Sequence, residues 1–421
     1  MRPRLAAPAP GRGRRLHCRP MQSPLNGRRL LLALSGGIAA YKVAELVRLL
    51  VKAGCQVQVM MSEAATQFIT PATLQALSGR PVLLSQWDAT APNHMQHINS
   101  SRDADALLLA PASADMLARL AQGRADEIVS LTALARPRER CPLLLAPAMN
   151  REMWSHPATQ RNVAQLLADG ATLLGPGCGE QACGEVGDGR MLEAQQIFDA
   201  LVSHLQPKRL TGRTVVMTAG PTFEALDPVR GITNTSSGKM GFALARACAD
   251  AGANVVLVAG PCHQATPWSV SRIDVQSALE MRAAVMDRVT AADIFIGVAA
   301  VADYRPAQVA GHKLKKSAGT LNIELVPNPD ILAEVASLPK APFCVGFAAE
   351  SRNLAEYAEG KRVGKGLALV VGNLVSDALG SDSNRVTLFD AAGAHPLPEA
   401  DKLTVARGIV DHIATLLEKP G

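Results

Sequence analysis

Apolar residues in this chain come in short, nearly unbroken runs, each closed by glycine or proline and followed by a helical pattern. Arg29–Leu34 is the first such run and reads as a strand buried on both faces. Ser35-Gly36-Gly37 breaks it. Val43, Leu46, Val47 and Leu50 then recur at i, i+3, i+4, i+7, predicting a helix over 38–53 with Gly54 as its C-terminal cap. Residues 55–61 form a second strand. Strand, helix and strand in that order predict a parallel sheet covered by helices. Residues 106–109 and 143–146 extend it, each running into a proline turn.

The pattern restarts after a polar connection over 203–213. A strand at 214–218 leads into the turn Ala219-Gly220-Pro221-Thr222, an alanine-rich helix over 240–251 ended by Gly252, and strands at 255–258 and 294–298. Length agrees with this doubling, because 421 residues are too many for one domain of about 150. The expected architecture is α/β, with two Rossmann-like parallel-sheet domains, 28–206 and 207–421. Residues 1–27 read as a basic, disordered extension, with Met21 as the expected start of translation. Its Arg-rich, acid-free composition also resembles a transit peptide.

Composition narrows the class. Apolar residues make up 48% of the chain and charged residues 19%, a globular composition, and no run reaches the roughly 18 apolar residues of a membrane span. The net charge of +6 is misleading. Arg2, Arg4, Arg12, Arg14, Arg15 and Arg19 account for all of it, so the rest of the chain is neutral and carries no basic nucleic-acid footprint. Aromatics at 3% leave few stacking platforms for single strands. Eight scattered cysteines without a CxxC pair indicate reduced thiols and a cytoplasmic setting.

Several segments carry candidate chemistry, each with a plainer alternative. Ser35-Gly36-Gly37 is placed to meet phosphate at a helix N-terminus, or serves only close helix–strand packing. It is not GxGxxG, and Gly231…Gly238-Lys239-Met240 fails the P-loop spacing. Asn150, in Pro147–Trp154, offers an amide donor to a carboxylate or caps the next helix. Cys183 lies in a glycine-dense stretch from Gly175 to Gly189 that reads as a mobile flap; its thiol delivers a proton there, or is merely exposed. Cys178 at x4 spacing makes no zinc site. His97 falls in an expected loop over 93–102, where a histidine is either solvated or a base. Lys313, Lys315 and Lys316 form either a solvated face or a cluster opposite a triphosphate, with Asp303 or a neighbouring acid near Mg2+.

Taken in order, these blocks resemble one family: the bifunctional coenzyme A biosynthesis proteins, in which phosphopantothenoylcysteine decarboxylase is fused to phosphopantothenate–cysteine ligase. The resemblance runs from about residue 28 to the end. It rests on SGGIAAYK (Ser35–Lys42), His97-Ile98, PAMNREMW (Pro147–Trp154) and QACGEVGDGRM (Gln181–Met191) in the first half. In the second it rests on TAGPT (Thr218–Thr222), DPVRGITNTSSGKMG (Asp227–Gly241), AAVADYRP (Ala299–Pro306), KLKK (Lys313–Lys316), PNPD (Pro327–Asp330) and GFAAE (Gly346–Glu350).

The resemblance implies an N-terminal flavoprotein domain holding FMN through Ser35, Gly36, Gly37, Ser62 and Ser113. Oxidation of the thiol-bearing carbon by FMN places a C=S group β to the carboxylate, so that loss of CO2 is stabilised, and the hydride is then returned. Cys183 is the implied proton donor of that last step. His97 supports the oxidation as base or by polarisation, and Asn150 holds the substrate carboxylate. The C-terminal ligase domain is implied to join 4′-phosphopantothenate to cysteine with CTP, through an acyl cytidylate and with Mg2+ on the phosphates. CTP contacts fall on Gly297, Val298, Ala299, Asp303, Lys313, Pro327, Asn328, Pro329, Asp330, Phe347, Lys361 and Lys365. Asn234 is implied to bind the reacting acyl group, and Lys313 to assist formation of the intermediate. A homo-oligomer is also implied, trimeric through the flavin domain and dimeric through the ligase domain. Two other readings remain: a flavin-dependent decarboxylase of another cysteine-containing substrate, which leaves KLKK and PNPD idle, and a flavin-binding regulatory subunit, in which the retention of both His97 and Cys183 would be unexpected.

Overall fold

A computed structural model describes residues 25–88, 95–181, 184–315, 321–350, 352–374 and 383–418. Cys183, Lys316 and the arginine-rich stretch through residue 24 lie outside the described residues. The chain divides into two compact units, Gln22–Pro207 and Lys208–Gly421.

In the first unit, β1 (Arg29–Leu34), β2 (Gln56–Met61), β3 (Ala106–Ala112), β4 (Leu143–Pro147) and β5 (Thr172–Leu173) form an all-parallel sheet in the order β2-β1-β3-β4-β5. Its central strands β1, β3 and β4 are almost wholly apolar because both faces are covered, whereas the edge strand β2 keeps Gln56 and Gln58. Leu30, Leu32 and Leu34 of β1 enter one core and Leu31 and Ala33 the other, the period-two division a pleated strand imposes. Around the sheet stand α1 (Tyr41–Lys52), α2 (Pro71–Ser78), α3 (Gln96–Asp103), α4 (Ala114–Ala121), α5 (Ile128–Ala135), α6 (Arg151–Ser155), α7 (Pro157–Ala168) and α8 (Ala194–Leu205). The helix expected over 38–53 divides into a 3-10 turn, Ile38–Ala40, and α1. Gly54 ends it at φ 83°, the left-handed position that favours glycine.

Three expectations change. His97 lies near the start of α3, not in a loop; α3 lacks an apolar stripe and is held against α5. The glycine-dense stretch is a two-stranded antiparallel hairpin, β6 (Gly177–Glu180) with β7 (Val186–Arg190). Leu25–Gly27, expected as disordered extension, is a turn whose Leu25 is fully buried and whose Gly27 N–H donates to Gly54 O at 2.9 Å.

The second unit opens with β8 (Thr214–Ala219), followed by the small pair β9 (Phe223–Ala225) and β10 (Gly231–Thr233). Then come β11 (Asn254–Ala259), β12 (Val270–Asp274), β13 (Ile294–Gly297), the pair β14 (Tyr304–Pro306) and β15 (Leu325–Pro327), β16 (Phe343–Glu350), β17 (Leu369–Leu374), β18 (Ser383–Asn384), β19 (Thr387–Asp390), β20 (Gly393–Pro396) and β21 (Ala400–Asp401). Its helices are α9 (Lys239–Asp250), α10 (Ala278–Met286), α11 (Ile331–Ala336), α12 (Leu354–Gly364) and α13 (Lys402–Glu418). The main sheet runs β12-β11-β8-β13-β16-β17-β19-β20. Its first six strands are parallel, and β19 and β20 add an antiparallel edge that the parallel-sheet expectation did not contain.

Candidate active sites

A parallel sheet whose strand order reverses leaves a crevice beyond the carboxyl ends of the two strands at the reversal, where ligands bind. In the first unit that point lies between β1 and β3, and a cavity of about 590 Å³ occupies it. Gly36 and Gly37 follow β1 into its wall, Ser113 follows β3, and Met149 and Asn150 follow β4. Glu180, Gln181, Gly189 and Arg190 of the hairpin region complete it. Glycine is required where backbones close in. A Cβ on Gly36 would stand 2.7 Å from Ala64 Cβ, and one on Gly189 2.5 Å from Met149 O.

Ser35 is buried behind this cavity. Its hydroxyl donates to Pro111 O at 2.8 Å and accepts from Ser113 N at 2.8 Å, tying the end of β1 to the end of β3. Ser62 is likewise buried and caps the 3-10 turn Glu63–Gln67, accepting from Ala65 N. Ser113 lines the cavity while capping α4. Asn150 caps α6 through Oδ1, which accepts from Met153 N at 2.9 Å. Its amide nitrogen makes no hydrogen bond among the described residues, so what Asn150 presents to the cavity is a donor. The cap that the sequence set as the plainer alternative is therefore present, and it leaves the amide nitrogen facing the cavity. His97, half-buried on α3, is not in the wall of this cavity.

Lys42, the last residue of the SGGIAAYK block, is a wall residue to which the sequence assigned no role. Its ammonium is buried and donates to Met191 O at 3.2 Å and Glu193 Oε1 at 2.8 Å, anchoring the base of the hairpin to α1. The Lys42 hydrogen bond, against burial and with help from Arg190, holds the Glu193 carboxyl below its usual range. The partners are 151 residues apart, which is why the pattern along the chain does not show them.

The second unit reverses between β8 and β13. Two cavities lie there. One, of about 380 Å³, is lined by Gly297, Ala299, Asp303, Asn328, Pro329, Asp330, Phe347, Lys361 and Lys365, all expected nucleotide contacts. The other, about 630 Å³, is lined by Asn234, Gly238, Lys239, Val298, Asn384 and Lys402 among others. Ala300 and Phe347 belong to both walls. Lys313 is exposed and, with Pro327, lies in the wall of neither.

Charge in the smaller cavity is concentrated at the end of α12. Burial, reinforced by Lys365, pushes the Lys361 ammonium down, and its Nζ donates to Phe347 O at 2.5 Å. Asp330 caps α11 by accepting from Ala333 N at 3.0 Å and pairs with Lys365. Burial would raise its carboxyl, but Lys365, the Ala333 N–H and Lys361 outweigh that and bring it below the usual range. Asp303 makes no side-chain hydrogen bond among the described residues, though its charge acts on Lys361. Asn328 donates to Ala302 O at 2.8 Å and accepts from Arg305, fixing the PNPD turn. Asn234 donates through its amide nitrogen to Ala300 O at 3.0 Å and Val301 O at 3.2 Å, so its carbonyl oxygen is what remains for a ligand.

Asp227 is the buried node of this unit. It accepts from the Arg230 guanidinium at 2.6 and 3.0 Å, from Val229 N and Arg230 N at 2.8 Å, and from Leu314 N at 3.0 Å. Arg230 returns a bond to Leu314 O at 2.6 Å. The segment carrying Lys313 and Lys315 is therefore held by its backbone, and the Arg230 hydrogen bond, against burial, drives the Asp227 carboxyl far below its usual range.

The family model described as Flavoprotein matches residues 19–206, and that described as DNA/pantothenate metabolism flavoprotein C-terminal domain matches 210–417. A solved C-terminal domain of coenzyme A biosynthesis bifunctional protein CoaBC is 38% identical, covering 50% of this chain and 98% of its own with a TM-score of 0.44. The Escherichia coli protein named coenzyme A biosynthesis bifunctional protein CoaBC is 49% identical over 93% of this chain and 98% of its own length. The Vibrio cholerae protein of the same name is 52% identical over the same shares of both chains. Identity at that level along both units places the chain in one family: it belongs to the coenzyme A biosynthesis bifunctional proteins.

Proposed function

We infer that this bifunctional enzyme of coenzyme A biosynthesis divides its two activities between its units: phosphopantothenoylcysteine decarboxylase in 28–206 and phosphopantothenate–cysteine ligase in 207–421. The observation that carries the reading is the pair of cavities sharing Ala300 and Phe347, because acyl activation requires an acid and a nucleotide side by side. Decarboxylation of another cysteine-containing substrate alone would leave both cavities unused.

In the ligase unit, Lys361 and Lys365 face the CTP phosphates, where a buried, disfavoured ammonium gains most from an anion. Asp303 is the carboxylate available in that wall to a phosphate-bound Mg2+. The larger cavity takes 4′-phosphopantothenate, with Lys239, Lys402 and the N-terminus of α9 for its phosphate. The pantothenate carboxylate attacks the α-phosphorus of CTP and pyrophosphate leaves. The amine of cysteine then attacks the acyl carbon, forming the amide, and CMP leaves. Lys313, held in place by the Asp227–Arg230 node, neutralises charge during the first step. Asn234 positions the turn at Ala300 and Val301 beside the acyl group.

In the decarboxylase unit, the cavity at the β1/β3 reversal fits FMN. Its glycine walls admit close backbone approach, Ile38, Met149 and Met153 suit an apolar ring, and Ser113 with the first N–H groups of α4 suits a phosphate. When bound there, FMN would supply the electron sink for oxidation and re-reduction at the thiol-bearing carbon. Asn150 orients the departing carboxylate through its amide N–H. Ser35 and Ser62 hold the strand ends that shape the loop. Cys183 delivers the final proton, a role supported by Glu180 and Gln181, just before it, lining the cavity. His97 assists the oxidation from a neighbouring subunit of a trimer, and the ligase units pair as dimers. Ile38 and Tyr41, exposed beside the cavity, are apolar surface for such a neighbour to cover. No described helix is long and apolar enough to cross a membrane, and the enzyme works in the cytoplasm on small molecules.

The test is a coupled assay on the purified chain. Its visible spectrum is recorded, 4′-phosphopantothenate, cysteine, CTP and Mg2+ are added, and CMP, pyrophosphate and CO2 are followed. A flavin spectrum with all three products is expected. CO2 from supplied phosphopantothenoylcysteine without CMP would overturn the ligase assignment, and a colourless protein releasing no CO2 would overturn the decarboxylase assignment.

A further inference from the structure

Away from both switch points, the antiparallel edge of the second sheet and the C-terminal helix bring three ligand-type side chains together. Asp390 ends β19, His395 stands on β20 across the hairpin, and His412 projects from α13. The Asp390 side chain is 3% exposed, and each of its oxygens faces a different imidazole: Oδ1 lies 3.0 Å from His395 Nε2 and Oδ2 2.9 Å from His412 Nε2. All three ligand atoms lie within 4.8 Å of one another. Among the described residues no other group of His, Cys, Asp and Glu is arranged in this way.

We propose that Asp390, His395 and His412 form a binding site for a zinc-class divalent transition metal. A buried carboxylate needs a counter-charge. Arg362 on α12 acts on Asp390 only at a distance, because its guanidinium is paired with Glu359 at 2.6 Å, and Glu359 adds negative charge at Asp390. Two neutral imidazoles and one carboxylate are the nitrogen and oxygen set that zinc prefers, whereas Mg2+ demands an octahedron of oxygens. Tetrahedral bonds of about 2.0–2.1 Å separate ligand atoms by about 3.3 Å, so the two oxygen–nitrogen distances must open by a few tenths of an ångström while the remaining separation, within 4.8 Å, settles to the same value. The Ala392 N–H, donating to Asp390 Oδ1 at 2.7 Å, already orients the carboxylate as an outer-shell partner does. His395 is 40% exposed, leaving a fourth corner open to water. A metal here joins α13 to the sheet edge. Lys402, the first residue of α13, lines the larger ligase cavity, so the site steadies one wall of that cavity without contacting substrate.

The experiment uses the full chain, freed of metals by a chelator and titrated with Zn2+ in the absence of nucleotide. One zinc equivalent is expected to bind wild type, to raise its thermal midpoint, and to show a nitrogen and oxygen shell by Zn K-edge absorption. His395→Gln, a change on the exposed hairpin, and Asp390→Asn are each expected to weaken that equivalent by about tenfold or more. Equal zinc affinity in wild type and His395→Gln, or a purely sulfur shell, would show that the zinc sits elsewhere. No bound zinc in wild type would leave the trio as a hydrogen-bonded clasp and overturn the proposal. The absorption measurement needs no variant, so it decides the matter even where a substitution unfolds the chain.

Discussion

Replacing Gly36 by alanine tests whether close packing behind the first cavity sets the flavin loop. The added Cβ would stand 2.7 Å from Ala64 Cβ and 3.2 Å from the Ala64 carbonyl carbon and oxygen. Carbon atoms rest at about 3.5–4.0 Å, so the loop or the 3-10 turn Glu63–Gln67 must yield by roughly 1 Å. Gly36 is outside the left-handed region, so alanine meets no backbone penalty there and the contact alone is tested. Overpacking of this kind costs about 1–3 kcal/mol. If the free loop swings away and binding must bring it back, that cost appears as roughly 5- to 150-fold weaker FMN binding.

The assay is fluorescence titration of flavin-free protein with FMN, on Gly36→Ala, Ala64→Gly and the double variant. Ala64→Gly removes the nearer partner, at about 0.5–1 kcal/mol for glycine in the turn, and should restore much of the affinity lost by Gly36→Ala. Restoration should be incomplete, because the 3.2 Å backbone contacts persist. Affinity within twofold of wild type for Gly36→Ala, or no recovery in the double variant, would refute the packing argument.

Three further outcomes follow from the sites. Asn150→Asp keeps the helix cap while replacing the amide donor by a negative charge, so melting should be unchanged and decarboxylation should fall by about 100-fold or more; Asn150→Ala should also lose about 1 kcal/mol of stability. Asp227→Asn releases the lysine segment at Leu314 and should reduce CMP release by about 100-fold while sparing CO2 release from supplied phosphopantothenoylcysteine. Because the Lys361 ammonium is depressed in the free enzyme and a triphosphate would raise it again, CTP binding should take up protons between those two values. Calorimetry in buffers of different ionisation enthalpy measures the uptake, and Lys361→Met should abolish it.

The strands β1 to β4, β8, β11 and β13 were legible because each is a largely buried apolar run, whereas β12, half-exposed along its length, carried no such signal. The helix α3 was not legible either. Its QHINSSRD sequence has no apolar stripe, and its one fully buried residue is Ser101, whose hydroxyl returns to Ile98 O. The β6–β7 hairpin was hidden by its glycines, which signal freedom. Its order comes from backbone pairing and from Gln181, which donates to Asp188 O and accepts from Arg151 N. Motifs adjacent in sequence, such as SGG and PNPD, fall on strand-end turns that line the cavities. Their supports stayed invisible because Lys42 meets Glu193, and Asp227 meets Leu314, across long stretches of chain.

Both units obey one topological rule, so what separates their chemistry is the residues placed after the strands. Ile38, Met149, Met153 and Met191 around two glycines make a wall for a flat apolar ring. Asp303, Asp330, Lys361 and Lys365 make a charged wall, the one proposed to meet phosphates. The difference also accounts for selectivity between carboxylates. The ligase must activate the carboxylate of pantothenate and leave that of cysteine untouched, since the latter is the one lost as CO2. In the proposed reading the pantothenate acid sits across the Ala300–Phe347 wall from the nucleotide, which would give it alone access to the α-phosphorus. On the proposed division of labour the cysteine carboxylate survives ligation, and the Asn150 amide N–H is the donor proposed to meet it in the decarboxylase unit.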